Sequence, residues 1–226
     1  MSALEERWKA VDDRVKGLLV PPDPALEAAL RDSEAAGLPA IHVTPVQGKL
    51  LQVLAQSLGP QKILEVGTLG GYSTIWLARA LAPNGRLVTL EANSQHAAVA
   101  RRNLERAGLG EVVEVRVGPA LETLPELAAE HAGPFDLTFI DADKPNTAEY
   151  FDWAVRLSRP GSVIVVDNVV RQGALADAES PDPNVQGMHR FLSRLATDPR
   201  VTGSVVQTVG EKGYDGFAIA LVKGKS

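Results

Sequence analysis

The residues best suited to chemistry follow two β-like runs. Asp141-Ala142-Asp143-Lys144 comes directly after Phe135–Ile140, and Asp167-Asn168 comes directly after Ser162–Val166. Asp141, Asp167 and Asn168 are hard oxygen donors. If the two runs are neighbouring parallel strands, all three face one crevice and suit a divalent cation such as Mg²⁺, with positions left for water and substrate. A lone Asp after a strand more often serves a turn, but two such groups aimed into one cleft favour ligation. Lys144 on its own reads as a surface lysine; beside these carboxylates it can act on a substrate proton or its charge. A third feature is Ile63-Leu64-Glu65-Val66-Gly67-Thr68-Leu69-Gly70-Gly71-Tyr72-Ser73, a strand entering a Gly-rich turn and then a helix. Glycines there allow close backbone approach, and a helix N-terminus offers free N–H groups. The spacing is neither the dinucleotide fingerprint nor a Walker A loop. Glu91 ends the next run, where a carboxylate can accept from both hydroxyls of a ribose; otherwise it is a cap neighbour of Ser94.

Positioning these groups requires a particular set of elements. Lys62–Val66, Arg86–Leu90, Val112–Val117, Phe135–Ile140 and Ser162–Val166 alternate with helical segments of roughly 10–14 residues. That is a βαβ series, which predicts an α/β fold with a parallel, doubly wound, Rossmann-like sheet. Val201–Val206 and Gly216–Val222, separated by Gly210–Gly213, predict a closing antiparallel hairpin. Ahead of the sheet, extra N-terminal helices are expected at Ala3–Leu19, about Ala25–Ala36 and about Pro45–Leu58, delimited by Pro21-Pro22, Gly37 and Gly59-Pro60. The polar segment from Val169 to Asn184 should border the ligand crevice.

Composition excludes several classes. The 226 residues are 45% hydrophobic and 23% charged, enough apolar content for one folded domain. Zero cysteines exclude disulfides, thiolate zinc sites and a cysteine nucleophile. A net charge of −5 disfavours a broad grip on nucleic acid. The acidic start and the lack of a long apolar run predict a cytoplasmic chain with no membrane partner. His42, His96, His131 and His189 have no zinc spacing, and Ser73 lacks the final Gly of a nucleophile elbow, which leaves it a helix cap or ligand contact. Trp8, Trp76 and Trp153 read as core, with Trp8 alternatively in a lid or dimer interface.

Glu65–Ser73, Phe139–Lys144 and Val166–Asn168 together resemble the motifs of the cation-dependent O-methyltransferases, the group that holds the catechol and caffeoyl-coenzyme A O-methyltransferases and many small bacterial homologues. The resemblance runs from about Gly37 to the C-terminus. It implies a seven-stranded, mostly parallel sheet, S-adenosylmethionine as cofactor, a divalent metal (Mg²⁺, or Ca²⁺ or Mn²⁺) and a homodimer. By matching positions, Val43, Glu65, Gly67, Thr68, Gly71, Tyr72 and Ser73 line the cofactor. Glu91 and Ala92 hold its ribose, Pro119 and Ala120 lie by the adenine, and Asp141 and Asp143 touch it. Asp141, Asp167 and Asn168 match the metal ligands, with Lys144 and Asp141 catalytic and Lys144 and Gln172 on the substrate. Three positions depart from the commoner pattern: Glu91 replaces Asp, Val43 stands where plant relatives have Thr, and Gln172 stands where they have a substrate-contacting Asn.

The implied reaction is methylation of a hydroxyl on a small catechol-type aromatic, within one methyltransferase domain whose residues 1–58 form a helical lid or dimer region and 60–226 the core. The alternative acceptor is 5-hydroxyuridine at the tRNA wobble position. The missing pyrophosphate fingerprint disfavours an NAD-dependent oxidoreductase, and the presence of Lys144 with the presumed metal ligands disfavours a non-catalytic binding module.

Overall fold

The computed structural model describes residues 2–224. Helix α1 (Ala3–Leu19) starts at Ser2, whose side chain accepts from Glu5 N while the Glu5 carboxylate accepts from Ser2 N. Asp23 and Thr44 cap α2 (Pro24–Ala35) and α3 (Pro45–Leu58), each with proline in the first helical turn. The cap at Asp23 is why α2 begins one residue earlier than its apolar pattern suggests. No residue of α1 is buried, and Leu4, Val11, Leu18 and Leu19 stand exposed. Trp8 therefore lies outside the core that holds Trp76.

Seven strands follow: β1 (Lys62–Val66), β2 (Arg86–Glu91), β3 (Val113–Val117), β4 (Phe135–Ile140), β5 (Ser158–Asp167), β6 (Val201–Gly210) and β7 (Gly213–Val222). They form one sheet in the order β3-β2-β1-β4-β5-β7-β6. The first five strands are parallel, and β7 runs antiparallel to both β5 and β6. The connections carry α4 (Tyr72–Ala78), α5 (Ser94–Arg106), α6 (Ala120–Ala129), α7 (Thr147–Arg156) and α8 (Pro183–Thr197). At 7 residues α4 is shorter, and at 15 residues α8 is longer, than the alternation suggests.

Two boundaries differ for a clear reason. β5 begins at Ser158 and not at Ser162, because a register shift beside Phe135 and a left-handed Gly161 (φ 89°) let Pro160-Gly161 stay in the strand. The last hairpin closes through Glu211-Lys212 alone, with Gly210 paired to Gly213 and Gly213 at φ 89°, so its strands reach further toward the turn than expected.

β4 is buried along its whole length, as expected for a strand covered by helices on both faces. Its adjacent Phe139 and Ile140 point into the two apolar layers on opposite sides of the sheet, each burial worth about 2–3 kcal/mol. The chain goes outward from β1 to β2 and β3, then returns to β4 on the other side of β1. The strand order thus reverses between β1 and β4, where open α/β sheets form a ligand crevice. No helix among the described residues is long and apolar enough to cross a membrane.

Candidate active site

Strand register assembles the site. Val66 pairs with Leu90 on β2 and with Ile140 on β4, and Ile140 pairs with Val166 on β5. The next residue on each strand is Gly67, Glu91, Asp141 and Asp167, so these four leave the sheet at a common level along its C-terminal edge. Backbone bonds from Gly67 N to Leu90 O (3.0 Å) and from Asp141 N to Val66 O (2.9 Å) carry the alignment past the strand ends. A cavity of about 490 Å³ opens above this edge, within the size range of small-molecule sites.

On the β4–β5 side, Lys144 Nζ donates to Asp141 Oδ1 at 2.9 Å. Lys144 is only 8% exposed and stands at the start of a 3₁₀ turn, Lys144–Asn146. Asp167 is 4% exposed; its Oδ1 accepts from Asn168 N (2.8 Å) and its Oδ2 from Gln47 Nε2 of α3 (2.7 Å). Burial, followed by the charge of Asp141, pushes the Asp167 carboxyl well above its ordinary value. Asn168 holds a left-handed backbone (φ 56°), an arrangement Asn tolerates better than most residues. No group of three or more His, Cys, Asp or Glu side chains among the described residues forms a metal cluster. The anionic donors here are two carboxylates, with the Asn168 amide as a third, neutral oxygen donor.

On the β1–β2 side the glycines serve packing. A Cβ on Gly67 would lie 2.1 Å from the Asp141 carbonyl oxygen, and one on Gly70 would lie 2.0 Å from Ser33 Oγ of α2. At Gly67 glycine is therefore required by the β1–β4 backbone contact before any ligand is considered, whereas at Gly70 a Cβ would press on the Ser33 side chain. Glu91 joins the turn to the next loop: Oε2 accepts from Thr68 N and Leu69 N, and Oε1 from Asn93 N. Asn93, not Glu91, caps α5. Ser73 is not a helix cap either, since Gly71 holds that position and the Ser73 hydroxyl donates to Glu65 Oε1 at 2.7 Å.

Glu65 lies fully buried beneath the turn, accepting from Ser73, Thr74 and Thr89, and desolvation pushes its pKa up to about 7 despite those bonds. Folded Glu65 thus keeps its proton to higher pH than the unfolded chain does. Its contribution to stability is complete below pH 4.5, falls as pH rises and levels off above about 7. The gap corresponds to a loss of about 3 kcal/mol. In the Glu65→Gln variant, Tm measured by calorimetry should therefore gain on the parent from pH 5 to about pH 7 and hold that gain at pH 8. A constant difference between the two across that range would contradict a protonated, buried Glu65.

Of the residues singled out in the sequence, Val43, Gly67, Thr68, Tyr72, Ser73 and Glu91 line the cavity. So do Ala92, Ala120, Asp141, Asp143, Lys144 and Asn168. Glu65, Gly71, Pro119, Asp167 and Gln172 do not line it. Glu65 and Asp167 sit just beneath, bonded to the residues that hold the wall, and Gly71 and Pro119 occupy the helix starts of α4 and α6. Gln172 is exposed, and its neighbour Arg171 takes the wall in its place; left-handed backbone at both residues (φ 54° and 57°) turns the chain there.

Four participants had weak sequence signals. Gln47 was a single polar residue in the first turn of α3. Tyr150, whose hydroxyl donates to Asp143 Oδ1, was an aromatic in an amphipathic helix. His42 packs edge-on to Tyr72 at 5.5 Å, and desolvation holds its pKa below the ordinary value. Lys212, on the β6–β7 turn, has its pKa lowered by desolvation against the opposing pull of Asp141, Glu211 and Asp167.

The O-methyltransferase family profile matches residues 23–221. A catechol O-methyltransferase of Niastella koreensis is 54% identical over 216 residues, covering 96% of this chain and 98% of that one. The solved O-methyltransferase of Bacillus cereus in complex with SAH superposes with a TM-score of 0.95 at 56% identity, covering 96% of this chain and 99% of that one. TomG of Streptomyces achromogenes, solved with SAM, gives a TM-score of 0.95 at 50% identity, covering 99% and 100%. With the doubly wound seven-stranded core and its antiparallel terminal hairpin, the chain belongs to the O-methyltransferase family and has the Rossmann-like fold of the S-adenosylmethionine-dependent methyltransferases.

Proposed function

We propose that the protein transfers the methyl group of S-adenosylmethionine to one hydroxyl of a small catechol-type aromatic, assisted by a divalent cation, Mg²⁺ or alternatively Ca²⁺ or Mn²⁺. The observation that carries this reading is the register that delivers Gly67, Glu91, Asp141 and Asp167 to one crevice, with Lys144 bonded to Asp141. The donor set fits a hard cation: the charge of Asp141 opposes ionisation of Asp167, and Asn168 adds a neutral oxygen. The relative named catechol O-methyltransferase and the neighbours solved with SAH and SAM support the acceptor class and the cofactor. None of these relatives is named for a nucleic-acid substrate.

When bound, S-adenosylmethionine would supply a sulfonium-bound, electrophilic methyl group, and a divalent cation would supply Lewis acidity toward a phenol whose unperturbed pKa is about 10. Asp141, Asp167 and Asn168 would hold the cation. Gln47 fixes one oxygen of Asp167, and Lys144 directs positive charge to where the phenolate develops. Glu91 accepts from a ribose hydroxyl at the site on Oε1 that its bonds to Thr68, Leu69 and Asn93 leave free. Val43, Thr68, Tyr72, Ala92, Ala120 and Asp143 form the walls around the cofactor. Residues 1–58 act as a lid and dimer region, a role that the uncovered apolar stripe on α1 supports.

The acceptor class is tested by following S-adenosylhomocysteine release with Mg²⁺ present. Catechol should be methylated, while phenol and its 2-methoxy derivative should not. Equal turnover of phenol and catechol would remove the need for vicinal hydroxyls.

Glu91→Ala leaves the N–H groups of Thr68, Leu69 and Asn93 without their acceptor, which should destabilise the fold by about 1–3 kcal/mol. It should also weaken S-adenosylhomocysteine binding, measured calorimetrically, by about tenfold to a hundredfold, equivalent to one hydrogen bond to a charged group. Unchanged affinity would remove Glu91 from the ribose site.

A further inference from the structure

Arg171 is an unabsorbed cation in the cavity wall. It follows the β5 end by four residues, and its side chain lines the same cavity as Lys144, Asn168 and Asn184. Its guanidinium makes no hydrogen bond or ion pair among the described residues, and its Nε is buried without a partner. The backbone there is fixed by β7. Asp215 Oδ1 accepts from Val170 N and Arg171 N, each at 3.0 Å, and from Gly216 N at 2.9 Å. That oxygen already carries three backbone donors, and the carboxylate forms no ion pair with Arg171 among the described residues. Left-handed backbone at Arg171 and Gln172 (φ 54° and 57°) is the strained conformation that this clamp holds, with Gly173 (φ 89°) completing the turn without strain. A buried donor with no acceptor is costly, and a planar guanidinium fork matches a carboxylate in two parallel bonds.

The sheet order determines which ligand this fork meets. Glu91 and the Gly67 turn lie on the β2–β1 side of the crevice, whereas Arg171 lies on the β5–β7 side, beyond Asp141 and Asn168. Resting on the reading of the site as one that takes a catechol, we propose that Arg171 binds a carboxylate carried by the acceptor, so that the preferred substrate is a catechol acid and not a neutral catechol. Lys212 on the β6–β7 turn, held by the bond from Glu211 N to Asp12 Oδ2 (2.7 Å), adds positive charge near this end.

The test compares 3,4-dihydroxybenzoate with 3,4-dihydroxybenzamide, which keeps the ring and both hydroxyls but loses the charge. KM and kcat are measured for the parent, Arg171→Met and Arg171→Lys with S-adenosylmethionine and Mg²⁺. The parent should show a KM for the acid about tenfold or more below that for the amide, as a charge-assisted paired contact implies. In Arg171→Met that ratio should fall toward one, chiefly through the KM of the acid and not its kcat. Arg171→Lys should recover part of it, keeping the charge and losing the fork. Calorimetric binding of both compounds to the protein loaded with S-adenosylhomocysteine gives a readout independent of turnover. If neither compound is methylated, the activity proposed above fails, while tighter binding of the acid that Arg171→Met abolishes would still uphold the Arg171 assignment. An acid-to-amide ratio near one in the parent overturns it even if the variants do not fold. An unchanged ratio in Arg171→Met, or an equal loss of S-adenosylhomocysteine affinity, which would place Arg171 on the cofactor, overturns it as well.

Discussion

Asp167→Asn should abolish metal-supported methyl transfer while making the ligand-free protein more stable at pH 8. The substitution keeps one oxygen for Gln47 Nε2 and the shape of the β5 end, gives up the acceptor of Asn168 N, and removes the charge that burial and Asp141 make more costly than that one bond. The folded protein holds the Asp167 proton above the range where the unfolded chain releases it, so the carboxylate lowers native stability as pH rises. Removing it should raise Tm at pH 8 by about 2–4 °C for each kcal/mol relieved in a chain of this size. The same change deletes an anionic ligand. Loss of about 4 kcal/mol of charge stabilisation corresponds to a fall of about 10³-fold in kcat. Thermal scans and turnover assays on the one variant check both halves. A fully active Asp167→Asn, or one that is inactive only because it melts earlier, contradicts the assignment of Asp167 as a ligand held in place at a cost to the fold.

Lys144→Met should lower kcat by about 10²–10⁴-fold, the range found when a positioned charge or proton-transfer group is lost, with KM changing far less. Lys144 is buried against Asp141 as an ion pair, an arrangement that keeps a charge in place at a desolvation cost and favours an electrostatic role. Lys144→Arg keeps the charge but cannot act as a base at neutral pH. It should therefore retain at least about tenfold more activity than Lys144→Met, within the same range of effects. Equal inactivity of the two variants in single-turnover kinetics would assign Lys144 as the base. Because Asp141 is left with an uncompensated charge in Lys144→Met, binding of Mn²⁺ should be measured alongside; retained metal affinity shows that the kcat loss arises at the reacting oxygen.

Much of the site was readable because the fold converts sequence position into spatial position by a simple rule. In a parallel sheet the residue after each strand goes to the same edge, so Asp141, Asp167 and Glu91 could be placed together from strand ends alone. The segment from Val169 to Asn184 offered no such rule. Arg171 and Gln172 are adjacent, and which of them faces the cavity depends on a left-handed turn held by Asp215, more than 40 residues later in the chain. Gln47 was equally hidden, since its bond to Asp167 spans 120 positions and its helix reads as apolar packing. Glycine positions were read correctly as special but for a different cause. Gly67 and Gly70 give room to Asp141 and Ser33, so close protein packing, and not only ligand approach, bears on both positions. The hairpin turn and the start of β5 follow no such rule, because left-handed Gly213 still pairs with Gly210 and left-handed Gly161 stays within β5 at its register shift.

The most direct single measurement is methyl transfer from S-adenosylmethionine to 3,4-dihydroxybenzoate in Mg²⁺, repeated after excess chelator and again after Mg²⁺ is restored. Methylated product that disappears with chelator and returns with the cation is the expected result. Undiminished product in chelator would contradict the metal role of Asp141, Asp167 and Asn168.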